Sequence, residues 1–128
     1  MQHTQLYKKA QALTNTRTLT PECVVGEVGC ALQTDRGNMY VGTSIDAACG
    51  IGFCAEQSAI ASMVAGGESR ITAIVAVDSN GNIVPPCGRC REMIYQVNHD
   101  NIDTEVMLAE DRMIKLADLL PERWQAIR

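Results

Sequence analysis

Residues 86–92 read Pro86-Cys87-Gly88-Arg89-Cys90-Arg91-Glu92, and the rest of the chain is interpreted from this stretch. Two thiols stand three residues apart in the first turn of a helix that the pattern predicts over 88–97, directly after Pro85-Pro86 ends an extended piece. At that spacing both sulfurs reach one ion. Upstream, Cys54-Ala55-Glu56 opens a second predicted helix over 54–65, which Gly66-Gly67 stops. Helix N-termini favour thiolates through the macrodipole and their free amide groups, so both places suit deprotonated, metal-binding cysteine. Cys54, Cys87 and Cys90 on Zn²⁺ leave a fourth tetrahedral position for water, which distinguishes catalytic zinc from closed structural sites. Glu56 lies two residues from Cys54 without needing to be a ligand, placed to move protons as a general acid and base. Three thiolates give the site a net negative charge, which Arg89, Arg91 and two helix ends would offset.

Working outward, Leu6, Ala10 and Leu13 recur at helical spacing and predict a first helix up to about residue 14. Residues 24–33 are β-rich, and the turn cluster at 34–38 leads into 39–43, a predicted β-hairpin. Residues 71–77 form a nearly continuous apolar run, the pattern of a strand buried on both faces. A turn at 78–82, a strand at 106–109 and a last short helix at 114–120 complete the prediction. Strands alternate with helices through the second half, which argues for an α/β domain in which helices cover one sheet.

The chain has 128 residues, 46% apolar and 20% charged, which fits one domain over 1–128 with a real core. Its net charge is −4 and its longest basic block is Lys8-Lys9, so the electrostatic footprint of phosphate-backbone binding is missing and no nucleic-acid partner is expected. No run approaches the roughly 18 apolar residues of a membrane span, and the first residues carry no apolar export signal. Six cysteines in such a chain suggest metal binding, catalysis or burial in a cytoplasmic protein rather than a disulfide framework.

Taken together, C-A-E at 54–56 and P-C-G-R-C-R at 86–91 resemble the cytidine deaminase superfamily, where a non-ligand glutamate accompanies a P-C-x-x-C element. The small cytidine deaminases and the blasticidin S deaminases are the similar members, and an arginine between the cysteines, here Arg89, looks more like the blasticidin type. The resemblance covers residues 24 to about 120, although only these two motifs are specific. It implies a three-layer α/β/α sandwich with a central mixed sheet, one Zn²⁺ per subunit, and a homotetramer with active sites near subunit interfaces. It further implies hydrolytic deamination of a small cytosine-containing nucleoside, such as cytidine or deoxycytidine, to the uracil product and ammonia. In that chemistry hydroxide on zinc attacks C4 of the ring, while Glu56 protonates N3 and then carries a second proton to the departing amine. The family's G-x-N-x-E stretch, whose Asn and Glu hold ribose hydroxyls, is matched by Gly42-Thr43-Ser44-Ile45-Asp46, so Ser44 and Asp46 stand in with shorter side chains. Ala55, between the ligand and the glutamate, is carried over as a substrate contact. The arginine that commonly follows C-A-E is Gln57 here, and the family's aromatic residue before the first core strand is replaced around Gly26. Metal and proton chemistry therefore transfer better than sugar recognition.

Other readings stay open at this point. The substrate could be a cytosine antibiotic of the blasticidin kind or another aminopyrimidine, or the chain could be a non-catalytic zinc-stabilised binding or assembly protein. Cys87 and Cys90 alone could form a redox dithiol, and Cys23, Cys30 or Cys49 could supply the fourth ligand of a structural zinc. Failing that, those three cysteines are expected as buried small residues, Met63 and Met93 as core packing, and His3 and His99 as surface residues. Ser44 and Asp46 could be ordinary strand-end or loop polar groups, Arg89 and Arg91 solvated charges, and Trp124 an anchor for the tail or a stacking partner for a pyrimidine.

Overall fold

The computed structural model describes residues 3–124, so the expected domain over 1–128 reaches beyond them at both ends. Seven strands make one mixed sheet: β1 (Arg17–Thr20), β2 (Cys23–Thr34), β3 (Met39–Ala47), β4 (Ile71–Asp78), β5 (Ile83–Val84), β6 (Glu105–Ala109) and β7 (Arg112–Lys115). Helices α1 (Thr4–Gln11), α2 (Ala55–Ala65), α3 (Gly88–Val97) and α4 (Leu116–Leu119) surround it, with 3₁₀ turns at Ala48–Gly50 and His99–Asp103. β4 and β6 run parallel, and the other pairings are antiparallel. β3 lies along one edge of β2; β4 takes most of the other edge, and β1 takes the rest.

The apolar run 71–77 is the middle of this arrangement, as its pattern requires. Ala73, Val75 and Val77 face Leu6 and Ala10 of α1, whereas Ile74 faces Ile60 and Met63 of α2 and Ile94 of α3. Helices on both faces of a mixed sheet give the α/β/α sandwich expected from the motifs. α2 crosses β3 closely: a Cβ on Gly42 would lie 2.3 Å from the Ala59 nitrogen, so only glycine admits the helix at that depth. Fully buried Asn101 fixes α3 to the start of β4. Its side chain accepts from Ile71 N–H at 2.8 Å and donates to the carbonyls of Ser69 and Ile94 at 2.9 Å. None of the described helices is long and apolar enough to cross a membrane.

The structure departs from the sequence reading at several places. The helix expected over 114–120 is a strand as far as Lys115, because Met113 and Ile114 pair with Met107 and Val106 of β6; only Leu116–Leu119 is helical. β1 went unnoticed because its four residues are all exposed, leaving no buried face to read in the sequence. The first helix ends at Gln11 rather than near residue 14. β3 continues to Ala47, so Ser44 and Asp46 are strand residues and not loop residues. Cys30 is buried as expected, but Cys23 is only half-buried and Cys49 is exposed. Met63 is buried and Met93 is partly so. His3 is half-buried and lies 3.4 Å from Glu105, whereas His99 is exposed as expected and stacks on Tyr95.

Candidate active site

Two helix starts meet at the site. Cys54 is the N-cap of α2 and Cys87 the N-cap of α3, so both thiols stand at helix starts. Cys90 follows one turn into α3, fully buried, so its sulfur returns to the same point. The sulfurs lie 3.6 Å apart between Cys54 and Cys87 and 3.4 Å apart between Cys87 and Cys90. All three fall within 4.8 Å of one another. Thiolates on a tetrahedral zinc, with bonds of about 2.3 Å, stand about 3.8 Å apart, so the cluster fits one zinc ion with little movement. Among the described residues no fourth Cys, His, Asp or Glu joins it, and Cys23, Cys30 and Cys49 stay outside. Closed four-ligand coordination therefore has no donor here.

Left to the protein alone, the three thiols differ. Burial pushes Cys90 strongly up, and the negative charge of Glu56 adds to this. Cys54 is raised by burial first and then by the Cys87 thiol. Burial also acts upward on Cys87, but the backbone N–H groups of Cys90 and Arg89 and the two neighbouring thiols outweigh it, and the net shift is down. A cation among the sulfurs overrides this order, since a coordinating thiol is deprotonated outright.

Glu56 is buried in the first turn of α2 and lines the same pocket as Cys54 and Cys87. Burial pushes its carboxyl above the usual carboxylate range, against hydrogen bonds from its own backbone and from the Cys90 thiol. The pocket holds about 420 Å³, within the usual span for small-molecule sites.

The other expected site residues fall into two groups. Ser44, Asp46, Ala55 and Arg89 all line the pocket, with Ala55 fully buried and Asp46 and Arg89 exposed. The Ser44 hydroxyl accepts from Val28 N–H at 3.0 Å, so part of its hydrogen bonding is internal. Arg91 does not line the pocket. It is half-buried beside the loop, donating from Nε to the Pro86 carbonyl at 2.8 Å and from Nη1 to the Leu119 carbonyl at 3.1 Å. Trp124 is exposed, and its backbone N–H donates to Glu92 at 2.8 Å. Glu27 and Phe53 are among the lining residues that the sequence does not single out. A charged residue inside the apolar β run, between Gly26 and Gly29, was the available signal for Glu27.

The comparisons agree with this geometry. Residues 1–106 match the family described as the cytidine and deoxycytidylate deaminase zinc-binding region. A cytidine deaminase of Mycobacterium tuberculosis is 32% identical over 98 residues, covering 74% of this chain and 70% of the relative. A blasticidin-S deaminase of Bacillus cereus is 38% identical over 76 residues, covering 52% and 54%. The crystal structure of cytidine deaminase from Mycobacterium leprae superposes with a TM-score of 0.79 at 30% identity, covering 95% of this chain and 99% of that one. With three thiols set for one zinc and a fourth position left open, the chain belongs to the cytidine and deoxycytidylate deaminase family and is a zinc-dependent hydrolytic deaminase.

Proposed function

We propose that the enzyme deaminates a free cytosine nucleoside, cytidine or deoxycytidine, giving the uracil nucleoside and ammonia. The observation that carries this reading is the buried Glu56 carboxyl lining one small-molecule-sized pocket with Cys54 and Cys87, the fully buried Cys90 standing behind them. Cys54, Cys87 and Cys90 hold the zinc. When bound, it supplies the Lewis acidity that makes water a nucleophile near neutral pH. Glu56 takes a proton from the attacking water, delivers it to ring N3, and later carries a proton to the amino nitrogen so that it leaves as ammonia. Burial suits Glu56 to this cycle, because removal from water raises its carboxyl above the usual range and so favours taking up a proton. Arg89 offsets thiolate charge from the pocket wall, and Arg91 does so from behind the Pro86 peptide. Ala55 forms part of the floor under the ring, while Ser44 and Asp46 belong to the sugar side.

The negative net charge supports a small substrate over a polynucleotide. Exposed Ile51 and Phe53, side by side at the start of α2, leave apolar surface for a subunit contact, and the homotetramer itself is proposed from the family resemblance. Six unpaired thiols support a cytoplasmic setting. A second reading, deamination of an antibiotic of the blasticidin S kind, is favoured by Arg89 between the paired cysteines and by the likeness to the B. cereus enzyme.

The test is ammonia release by zinc-loaded protein from cytidine, deoxycytidine, cytosine and blasticidin S. Release from cytidine or deoxycytidine is expected. Release from blasticidin S alone would select the second reading, and silence on all four by zinc-loaded protein would contradict both.

A further inference from the structure

One side chain ties the metal loop to the last part of the described chain. Pro86 is buried, and its carbonyl stands just ahead of the N-cap Cys87, outside the backbone ladder of α3. A buried carbonyl needs a partner, and Arg91 supplies it from Nε at 2.8 Å. The same guanidinium donates from Nη1 at 3.1 Å to the carbonyl of Leu119, the last residue of α4, where a helix end leaves carbonyls without intrahelical partners. The stretch that carries Leu119 is fastened to α3 again nearby. Glu92 accepts from Trp124 N–H at 2.8 Å, and the Arg123 guanidinium lies 5.3 Å from the centre of the Tyr95 ring while donating to the Leu120 carbonyl at 3.4 Å. Leu116 and Leu120 are buried in the same core as Ile94 and Tyr95 of α3. Cys87, Gly88 and Arg89 are themselves exposed, so the loop is gripped at its ends, by buried Cys90 on one side and by the Pro86 peptide on the other.

We infer that Arg91 is a positioning residue for the zinc site: its guanidinium is a strut that fixes the Pro86 peptide, and through it the Cys87 thiol, against residues 116–124. Its shape, beyond its charge, sets how tightly the metal is held. A guanidinium is a rigid planar fork that serves two carbonyls at once, whereas a lysine ammonium carries the same charge as a point on a flexible stem. A ligand whose backbone is already fixed loses little freedom when the metal binds, and a loosened one loses more. The inference rests on the zinc site and not on the identity of the substrate.

The experiment measures zinc affinity, by competition with a chromophoric chelator, for full-length wild type, Arg91→Lys, Arg91→Ala, Arg123→Ala and Asn101→Ala, with Tm recorded for each. Arg91→Lys is expected to weaken zinc binding by about 10–100-fold, the range for outer partners of metal ligands, and Arg91→Ala by about as much. Arg123→Ala loosens the fastened stretch and is expected to weaken zinc by about threefold, with no further loss in an Arg91→Lys background, because both act through one strut. Asn101→Ala removes the brace on the Ile94 carbonyl near the other end of α3, and is expected to lower Tm while zinc affinity stays at the wild-type level. Cobalt-loaded Arg91→Lys is expected to show altered thiolate-to-metal absorption bands. Wild-type zinc affinity in Arg91→Lys would mean that charge alone acts, and would overturn the strut. Equal zinc loss in Asn101→Ala and Arg91→Lys would overturn it too, since general stability would then explain both. If Arg91→Ala does not fold, Arg91→Lys decides alone, by the same two outcomes. Silence on every cytosine compound would contradict the nucleoside reading and leave these affinities as expected.

Discussion

The two ends of the pocket are held by different kinds of structure. At the metal end every acting group stands at the start of a helix: Cys54 and Glu56 at α2, Cys87 and Cys90 at α3. Within each pair, spacing along the chain dictates spacing in space, because a helical turn is a local and stiff object; only the meeting of Cys54 with Cys87, 33 residues apart, depends on the fold. At the other end Glu27, Ser44 and Asp46 stand on two strands, and their proximity depends on a register and a bulge set by the whole hairpin. The metal end is encoded mainly by short spacings and the strand end by a register, so each should be breakable without destroying the other.

The largest effect should come from the metal end. Cys90→Ala is expected to abolish zinc retention and with it ammonia release, because the two remaining thiols cannot hold a three-ligand catalytic zinc. Metal analysis and turnover on cytidine check both halves. Asn101→Ala should destabilise by about 2–4 kcal/mol, since it orphans the Ile71 N–H and two carbonyls at a fully buried position. Denaturant unfolding measures this, and folded protein should keep its substrate preference, because Asn101 braces α3 and touches neither end. Ser44→Ala should cost only about 1 kcal/mol, the net worth of one hydrogen bond, yet alter KM for cytidine visibly.

The smallest effect lies away from both ends. Glu68, buried just beyond α2, accepts from Asn38 and from the Tyr40 hydroxyl at 2.8 Å each. Hydrogen bonds from Thr34 first and then Asn38 hold its carboxyl below the usual range. A carboxyl lowered on folding adds stability that is present above its unfolded pKa of about 4.3 and is lost as pH falls through the lower folded value. Glu68→Gln should therefore lower Tm at pH 7, with the gap to wild type closing below about pH 4. An equal gap at pH 7 and pH 3 would show that the charge has no part in it.

Legibility in the sequence follows the same division. The metal cluster and Glu56 could be read because i, i+2 and i, i+3 spacings at helix starts translate directly into geometry. The buried strand β4 could be read because its apolar run had one interpretation. Exposed β1 offers no burial pattern, and the end of β7, Ile114 and Lys115, suits the helix expected over 114–120 until β6 supplies a backbone partner. The role of Ser44 as a brace for Val28, and the presence of Glu27 in the pocket, required a register that no local pattern specifies. The sequence suggests Arg91 as a counter-charge to the thiolates, whereas its contacts with the Pro86 and Leu119 carbonyls depend on where the chain returns.

The central claim is that Glu56 moves protons and does not hold the metal. Zinc-loaded Glu56→Gln tests it directly, with zinc content and ammonia release from cytidine measured on one sample. The account predicts zinc retained at the wild-type level and release slowed by about 10²–10⁴-fold. Release at the wild-type rate, or loss of zinc together with activity, would contradict it.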